Sequence, residues 1–349
     1  MPRPAPTVAA TPRRAGRRID LPTRLLRTAA VVVTTALAGG TAAALAAERP
    51  AGFPAQPVRL VVPFPPGGTS DIVARVLSQR LSVAVGQRFV VENRPGAGAA
   101  IGITAVTGAG PDGQTLLLGA AGPLTMSPHM GKVPYDVERD LAPIALITAV
   151  PNIAVVHPSV PARTLTEMVK LARTRPGNVS FGSAGQGTTA HLSGELFRTI
   201  AGAQMIHVPY KGTSAAVADL VGGQIDMLID NLPGVLPQVR AGKLRALALT
   251  SASRSKAAPD VPSAPEAGMK DLIVSGWFGF LAPAKTPQPV VDWLAQELLA
   301  AARAPDVQAQ LSDLGGEPDL RGPAAFRAYL RAESERWARI IAAAKIQIQ

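Results

Sequence analysis

Three short stretches of the sequence combine glycines with hydroxyl side chains, a pattern typical of loops that offer main-chain N–H groups to an anion. They are the first loop (64–70, F-P-P-G-G-T-S), the second loop (183–189, S-A-G-Q-G-T-T) and the third loop (210–214, Y-K-G-T-S). Each follows a short apolar run and precedes residues with helical spacing. The first N–H groups of a helix lack internal partners, and the helix dipole leaves roughly half a positive charge there. The three loops are therefore candidates to bind a negatively charged group.

A carboxylate and a lysine accompany these loops. Asp230 ends the apolar run 225–229, in the position of a residue at the carboxyl end of a strand. A carboxylate beside an anion site suits a ligand with an amino or hydroxyl group, or it holds a bridging water. Lys211, in the third loop, either attracts the anion or is an ordinary exposed lysine.

Two polar residues lie in the helices that follow the first and second loops. His191 either holds a carbonyl of the second loop or contacts the ligand, and the first role is favoured. Asp71 is expected to cap the helix after the first loop, because a carboxylate turned towards the site would repel an anion.

The sequence lacks the common signatures of catalysis and cofactor binding. The run 96–101 (G-A-G-A-A-I) begins like a dinucleotide fingerprint but has Ile101 in place of the third glycine, and no P-loop occurs. The run 182–185 (G-S-A-G) lacks the spacing of a nucleophile elbow. There is no cysteine, and the four histidines are far apart in sequence, without H-E-x-x-H. We therefore expect no cofactor, no metal and no catalytic residue.

Short apolar runs alternate with helical patterns along the chain, which indicates an α/β fold. The run 58–62 is apolar enough for a strand that is buried on both faces. Two apolar runs, 144–150 and 153–156, are separated by Pro151 and are expected to be two strands at a crossover between lobes. The predicted domains are lobe 1 (48–149 plus 270–349) and lobe 2 (150–269), with ligand bound in the cleft between them.

Residues 1–47 have the pattern of a cleavable export signal. Arginines precede an apolar run at 29–38, and small residues follow as far as Ala46 and Ala47, near which cleavage is expected. The apolar run is shorter than the roughly 20 residues that span a bilayer, so a retained anchor is the less favoured alternative. The expected location is the periplasm, and the pair Arg17-Arg18 leaves both the Sec and the twin-arginine routes open.

Removing this segment, which carries seven Arg and one Asp, lowers the formal net charge from +11 to +5. A nucleic-acid-binding surface normally has a clustered basic patch with aromatic residues among it, but only 4% of the residues in the full sequence are aromatic. We therefore expect no nucleic-acid partner, and nothing in the sequence requires more than a monomer.

Taken together, the motifs resemble those of the extracytoplasmic solute receptors of tripartite tricarboxylate transporters, the Bug family. The resemblance extends in order through nearly the whole chain after residue 47. It rests on segments 57–71, 91–98 (V-E-N-R-P-G-A-G), 111–116 (P-D-G-Q-T-L), 183–192, 208–212 (V-P-Y-K-G) and 259–263 (P-D-V-P-S).

This resemblance implies a type II periplasmic-binding-protein fold, with two lobes and mixed sheets around a central cleft. It also implies capture of a small carboxylate, without chemistry, for the membrane components of such a transporter. By position, the family's two glycine loops place ligand contacts at Phe64, Gly67, Gly68, Thr69, Ser70, Ser183, Gly185, Gly187 and Thr188. Asp230 joins them from its place at the end of a strand.

Two other functions remain open at this point. The protein could present its ligand to a membrane sensor instead of a transporter. Less favoured is an exported serine hydrolase that uses Ser183 or Ser70 with His191.

Overall fold

The computed structural model describes residues 47–346 of the chain. The predicted export signal therefore lies outside the described residues, apart from Ala47. None of the helices in the described part is both long and apolar enough to cross a membrane.

Strands and helices alternate through residues 47–346. The strands are β1 (Val58–Val62), β2 (Phe89–Asn93), β3 (Thr115–Ala120), β4 (Leu141–Val156), β5 (Ser180–Ser183), β6 (Ile206–Pro209), β7 (Met227–Asn231), β8 (Arg245–Leu249), β9 (Ser275–Pro283) and β10 (Glu317–Arg321). The helices are α1 (Thr69–Val85), α2 (Ala100–Thr107), α3 (Ser127–Met130), α4 (Val137–Asp140), α5 (Leu165–Thr174), α6 (Thr189–Ala201), α7 (Thr213–Val221), α8 (Leu232–Arg240), α9 (Gln288–Arg303), α10 (Pro305–Asp313) and α11 (Pro323–Ala344). A 3-10 turn at Ala97–Ala99 precedes α2, and a π-helical turn at Gly122–Met126 precedes α3.

The strands form one mixed sheet, in the order β2-β1-β3-β9-β4-β7-β5-β6, with β8 and β10 also paired to β4. β1 is parallel to β2 and β3, and β5 is parallel to β6 and β7. β9 and β4 run antiparallel to their neighbours. The predicted α/β class with mixed sheets is confirmed.

The long strand β4 corrects one expectation. The two strands predicted on either side of Pro151 are a single strand of 16 residues. Pro151 lies opposite Ser275 at the start of β9, and Asn152 pairs with the end of β7, so the proline sits where the strand changes partner. Proline has no N–H group to donate to a neighbouring strand. Few hydrogen bonds between strands are lost when it lies where β4 changes partner.

This change of partner defines two groups of strands. The first strand group is β1, β2, β3, β9, β10 and β4 up to Pro151; the second is β5 to β8 and β4 from Asn152. The domain boundary placed between residues 149 and 150 stays a prediction.

The core of the first strand group lies on both faces of β1. Val58, Leu60 and Val62 pack on one side with apolar residues of α1 and α9. Val61 packs on the other side with α2. Both faces of this strand are therefore covered, as its unbroken apolar sequence predicts.

The C-terminal helix α11 covers the π-helical turn and the first part of β4. Its buried residues Phe326, Leu330, Trp337 and Ile341 recur at helical spacing on one face. The Trp337 Nε1 group donates a hydrogen bond of 3.0 Å to Glu333 Oε2 on the same helix. This helix therefore supports the segment that follows β3.

Candidate functional site

A cavity lies where the carboxyl ends of β1, β3, β5 and β7 meet the segments that follow them. The space open to the centre of a water-sized sphere is about 30 Å³, which is room for only a few water molecules. The described residues that line it are Phe64, Pro65, Gly68, Thr69, Ser70, Ala120, Gly122, Pro123, Ala184, Thr188, Thr189, Thr213, Asp230, Asn231 and Phe278.

Six of the ten residues predicted from the sequence line this cavity: Phe64, Gly68, Thr69, Ser70, Thr188 and Asp230. The other four, Gly67, Ser183, Gly185 and Gly187, do not line it but shape the first and second loops. The structure thus brings the two loops and Asp230 to one place. No Lys, Arg or His is among the described lining residues.

The first loop is held by Asp71. Gly67 has a positive φ of 83°, and its N–H donates to Asp71 Oδ2 at 3.0 Å. Arg75 Nε donates to the same oxygen, and Asn93 donates to Oδ1. Burial raises the pKa of Asp71, but the hydrogen bonds from Arg75, Gly67 and Asn93 outweigh it, so this pKa lies below its usual value.

Asp71 does not cap α1 in the way the sequence indicates. The N-cap residue is Gly68, which has no side chain, and no side chain bonds to the first amides of α1. Asp71 instead accepts the N–H of Gly67 and lies outside the cavity lining. The uncapped amides at Thr69 and Ser70 therefore lie at the cavity wall, where an anion is the natural partner.

The second loop is held by hydrogen bonds between its own residues. Thr188 caps α6: its Oγ1 accepts from His191 N at 3.3 Å and donates to Gly185 O at 2.7 Å. Gly185 and Gly187 have φ values of 126° and 77°, which L side chains rarely adopt. This loop conformation therefore strongly favours glycine at both positions.

Two histidines hold the second loop in place through hydrogen bonds. His191 Nδ1 accepts the N–H of Gly187 at 3.2 Å, so it holds an amide of the loop and not a carbonyl. His207 Nε2 lies 2.7 Å from the Oγ of the fully buried Ser183, which also accepts from Gly185 N. The two imidazole rings stack with centroids 4.2 Å apart. The serine's partner is therefore His207, which the sequence reasoning missed, and not His191.

The third loop and the start of α8 complete the wall. Thr213 and Asn231 line the cavity. The amide of Asn231 donates to the buried Asn152, which in turn donates to Ser193 Oγ at 2.8 Å. Lys211, by contrast, is exposed in a separate groove and lies outside the lining.

Asp230 and Thr69 each have a buried oxygen without a hydrogen-bond partner. It is 2% exposed, and its Oδ1 accepts from the N–H of Asn231 at 2.7 Å, whereas its Oδ2 has no hydrogen-bond partner. The buried Oγ1 of Thr69 also lacks a partner. Burial raises the pKa of Asp230 to about 6, against smaller lowering effects of the Thr213 hydroxyl and the Asn231 amide.

Two hydrogen bonds link the loops to other parts of the site. Ser214 Oγ donates to Pro66 O at 3.2 Å, which joins the third loop to the first. Ser127 Oγ, at the start of α3, donates to Gly187 O at 3.0 Å. The second loop is therefore bonded to the segment that follows β3.

Histidine and aspartate titrations give the stability a defined pH dependence. Burial lowers the pKa of His191 and of His207 to about 4, from 6.5, and raises that of Asp230 from 3.8 to about 6. Between pH 4 and 6 the unfolded chain binds protons at the histidines that the native protein lacks, so these raise stability as pH rises. Asp230 acts oppositely, because there the native protein binds the extra proton.

We expect Asp230→Asn to make the free energy of unfolding rise more steeply with pH than in the wild type, by roughly 1 kcal/mol per pH unit between pH 4.5 and 6. His191→Gln should make it less steep by a similar amount. Urea unfolding at three pH values measures both slopes. Asp260→Asn, at an exposed position, is the control and should keep the wild-type slope. Equal slopes in all four proteins would contradict these buried titrations.

Comparison with known proteins gives consistent matches. Residues 73–346 match the family model described as "Tripartite tricarboxylate transporter family receptor". The chain is 37% identical over 321 residues to protein BugT of Bordetella pertussis, covering 91% of this chain and 97% of BugT.

Solved structures agree with this match. The periplasmic binding protein BugD superimposes with a TM-score of 0.82 at 35% identity, covering 85% of this chain and 100% of BugD. Rpa4515 of R. palustris with adipate gives 0.82 at 34% identity, covering 84% and 99% of the two chains. MatC of Rhodopseudomonas palustris with bound malate gives 0.80 at 32% identity, covering 83% and 100%. The chain therefore belongs to the tripartite tricarboxylate transporter receptor family, as its motifs predict.

Proposed function

We propose that this protein is an extracytoplasmic solute receptor that captures a small carboxylate and delivers it to the membrane components of a tripartite tricarboxylate-type transporter. The observation that carries the proposal is the cavity, whose wall contains both the uncapped start of α1 and the second loop. None of the described residues that line this cavity has a basic side chain. Rpa4515 and MatC, which share the fold and about a third of the sequence, hold adipate and malate. No chemical step is part of this function.

The proposed binding residues act in two ways. The residues at the cavity wall contact the ligand: Phe64, Gly68, Thr69, Ser70, Thr188 and Asp230, together with Thr213 and Asn231. The loops that present the main-chain N–H groups are shaped by Gly67, Ser183, Gly185 and Gly187. Each helix N-terminus stabilises an anion by roughly 0.3–1 kcal/mol when exposed and up to about 2 kcal/mol when partly buried.

Closure of two lobes on the ligand is the proposed mechanism. The lobes are 48–149 plus 270–349 and 150–269, as predicted from the sequence. The hydrogen bonds from Ser214 to Pro66 and from Ser127 to Gly187 would then cross the cleft and exist only in the closed state. A ligand that contacts both sides favours closure in proportion to those contacts.

The proposed location is the periplasm, with residues 1–47 as the cleaved export signal and a monomer as the working unit. The periplasmic family members support the location. The geometry does not support the alternative of a serine hydrolase. Ser183 is fully buried behind the second loop, and no histidine is among the described lining residues near Ser70.

A thermal-shift screen of mono-, di- and tricarboxylates, amino acids and aromatic acids tests this function. A ligand at 100 times its dissociation constant should stabilise the protein by about 2.7 kcal/mol. No shift with any carboxylate would contradict the proposal.

Gly67→Val should abolish that shift. A Cβ at Gly67 lies 3.3 Å from Ser214 Oγ, so the larger side chain would push the first and third loops apart. Gly187→Val should act similarly, because its φ of 77° defines the second loop.

Gly86→Val is the matched control for these variants. Gly86 also has a positive φ, 71°, but lies at the far end of α1 with open space around it. It should show the same backbone strain and still bind. Binding retained in both Gly67→Val and Gly187→Val would argue against this site.

A further inference from the structure

The cavity wall carries two kinds of polar group. The start of α1 and the second loop offer hydrogen-bond donors. Asp230 is a nearly fully buried carboxyl group, and one of its oxygens has no partner. The ligand therefore meets a donor surface and an acceptor surface in one site.

Two threonines lie close together in this wall. A Cβ built on Gly234, in the first turn of α8, would lie 3.2 Å from Thr69 Oγ1 and 2.9 Å from Thr213 Cγ2, and the Thr213 hydroxyl is near enough to Asp230 to influence its pKa. The Thr69 hydroxyl, like Asp230 Oδ2, has no hydrogen-bond partner. Two unpaired buried polar atoms thus lie in the wall of the same cavity.

Within residues 47–346 no group makes a hydrogen bond to Asp230 Oδ2: the Thr213 hydroxyl lies near this carboxyl group but leaves that oxygen without a partner. The N–H of Asn231 is used by Oδ1, and the side-chain amide of Asn231 is bonded to Asn152. None of the described lining residues carries a positive charge. A buried carboxylate oxygen without a donor is costly, and a second carboxylate placed against it would be repelled.

We propose that the ligand is a carboxylate bearing a hydroxyl or ammonium group, which donates a hydrogen bond to Asp230 Oδ2. The ligand's own carboxylate faces the amides of α1 and the second loop. The Thr69 hydroxyl, beside the donor, accepts from it or bonds to the ligand's adjacent oxygen. This assignment rests on the proposed function and gives Asp230 the role of selecting the ligand.

Matched sets of acids on the wild-type protein test this by calorimetry. The sets are propionate, lactate and alanine, and succinate, malate and aspartate. The member with a hydroxyl or ammonium group should bind about tenfold or more tightly than its unsubstituted parent. Comparing lactate with alanine, and malate with aspartate, shows which donor the site prefers.

The variant Asp230→Asn tests whether Asp230 causes the preference for acids with a hydroxyl or ammonium group. The ratio between the donor-bearing acid and its parent should fall about tenfold in Asp230→Asn. Asp260→Asn makes the same chemical change at an exposed position and should keep the wild-type ratio. If Asp230→Asn does not fold, the acid sets on the wild type still decide the ligand class.

The outcomes separate this inference from the proposed function. If no carboxylate binds the wild type, the proposed function itself fails. If carboxylates bind but the hydroxyl and amino forms bind no better than their parents, only this inference is overturned. A preference that Asp230→Asn leaves unchanged would overturn the role of Asp230.

Discussion

Replacing Gly122 by alanine is expected to weaken carboxylate binding by about 100-fold or more, since several charge-assisted hydrogen bonds would be misplaced together. A Cβ on Gly122 would lie 2.8 Å from Gly187 O, from Thr188 Cα and from Thr189 N. All three are main-chain atoms of the second loop and the start of α6, so no side chain can rotate to make room. The loop must move away from the first loop, and its amides then leave the ligand.

The backbone at Gly122 is helical, so alanine has no unfavourable φ and ψ there, and overpacking of roughly 1–3 kcal/mol should leave the protein folded. A wild-type circular dichroism spectrum and a cooperative thermal transition would establish this, and calorimetry with a bound acid would give the loss. Gly110→Ala is the control, because a Cβ there would meet only side-chain atoms of Asp112, at 3.8 and 3.9 Å. Wild-type affinity in Gly122→Ala would mean that the ligand does not require this close contact.

The largest effect on stability is expected from Trp337→Ala. Trp337 is fully buried on α11, packs in the main apolar cluster and bonds through Nε1 to Glu333. Truncating a buried tryptophan removes apolar contacts and leaves a cavity, which costs roughly 3–5 kcal/mol. We expect a melting temperature lower by roughly 5–15 °C.

Glu335→Ala, on the exposed side of the same helix, is the matched control and should change the free energy of unfolding by less than about 0.5 kcal/mol. Urea denaturation of the three proteins compares them directly. A Trp337→Ala protein as stable as the control would show that α11 contributes little to the fold.

Local sequence patterns predict the elements of this fold well, and long-range pairing less well. The apolar run 58–62 predicts a strand covered on both faces, and the structure confirms it. The break at Pro151 predicts two strands, and that is wrong. Whether a proline ends a strand depends on which partner lies opposite it, and here two different partners, β9 and β7, meet at that point. Sequence spacing carries no information on that pairing.

The same distinction applies to the site. Glycines followed by hydroxyl residues indicate the three loops, because those residue types are required by local geometry. The lining residues Ala120, Gly122 and Phe278 have no such signature and reach the cavity only through the pairing of β3 with β9. His207 is 24 positions from Ser183, and only the parallel pairing of β5 and β6 makes them neighbours.

Binding of an anion by main-chain N–H groups has a consequence for how such receptors evolve new ligand specificities. A point mutation can replace any side chain, but it removes a peptide N–H only when it introduces proline. The donor groups themselves are thus kept through most substitutions, provided that the glycines that shape the loops are kept. Gene duplicates derived from this protein can acquire new substrates by changing Thr213, Asp230, Asn231 or Phe278, while inheriting the ability to hold an acid unchanged.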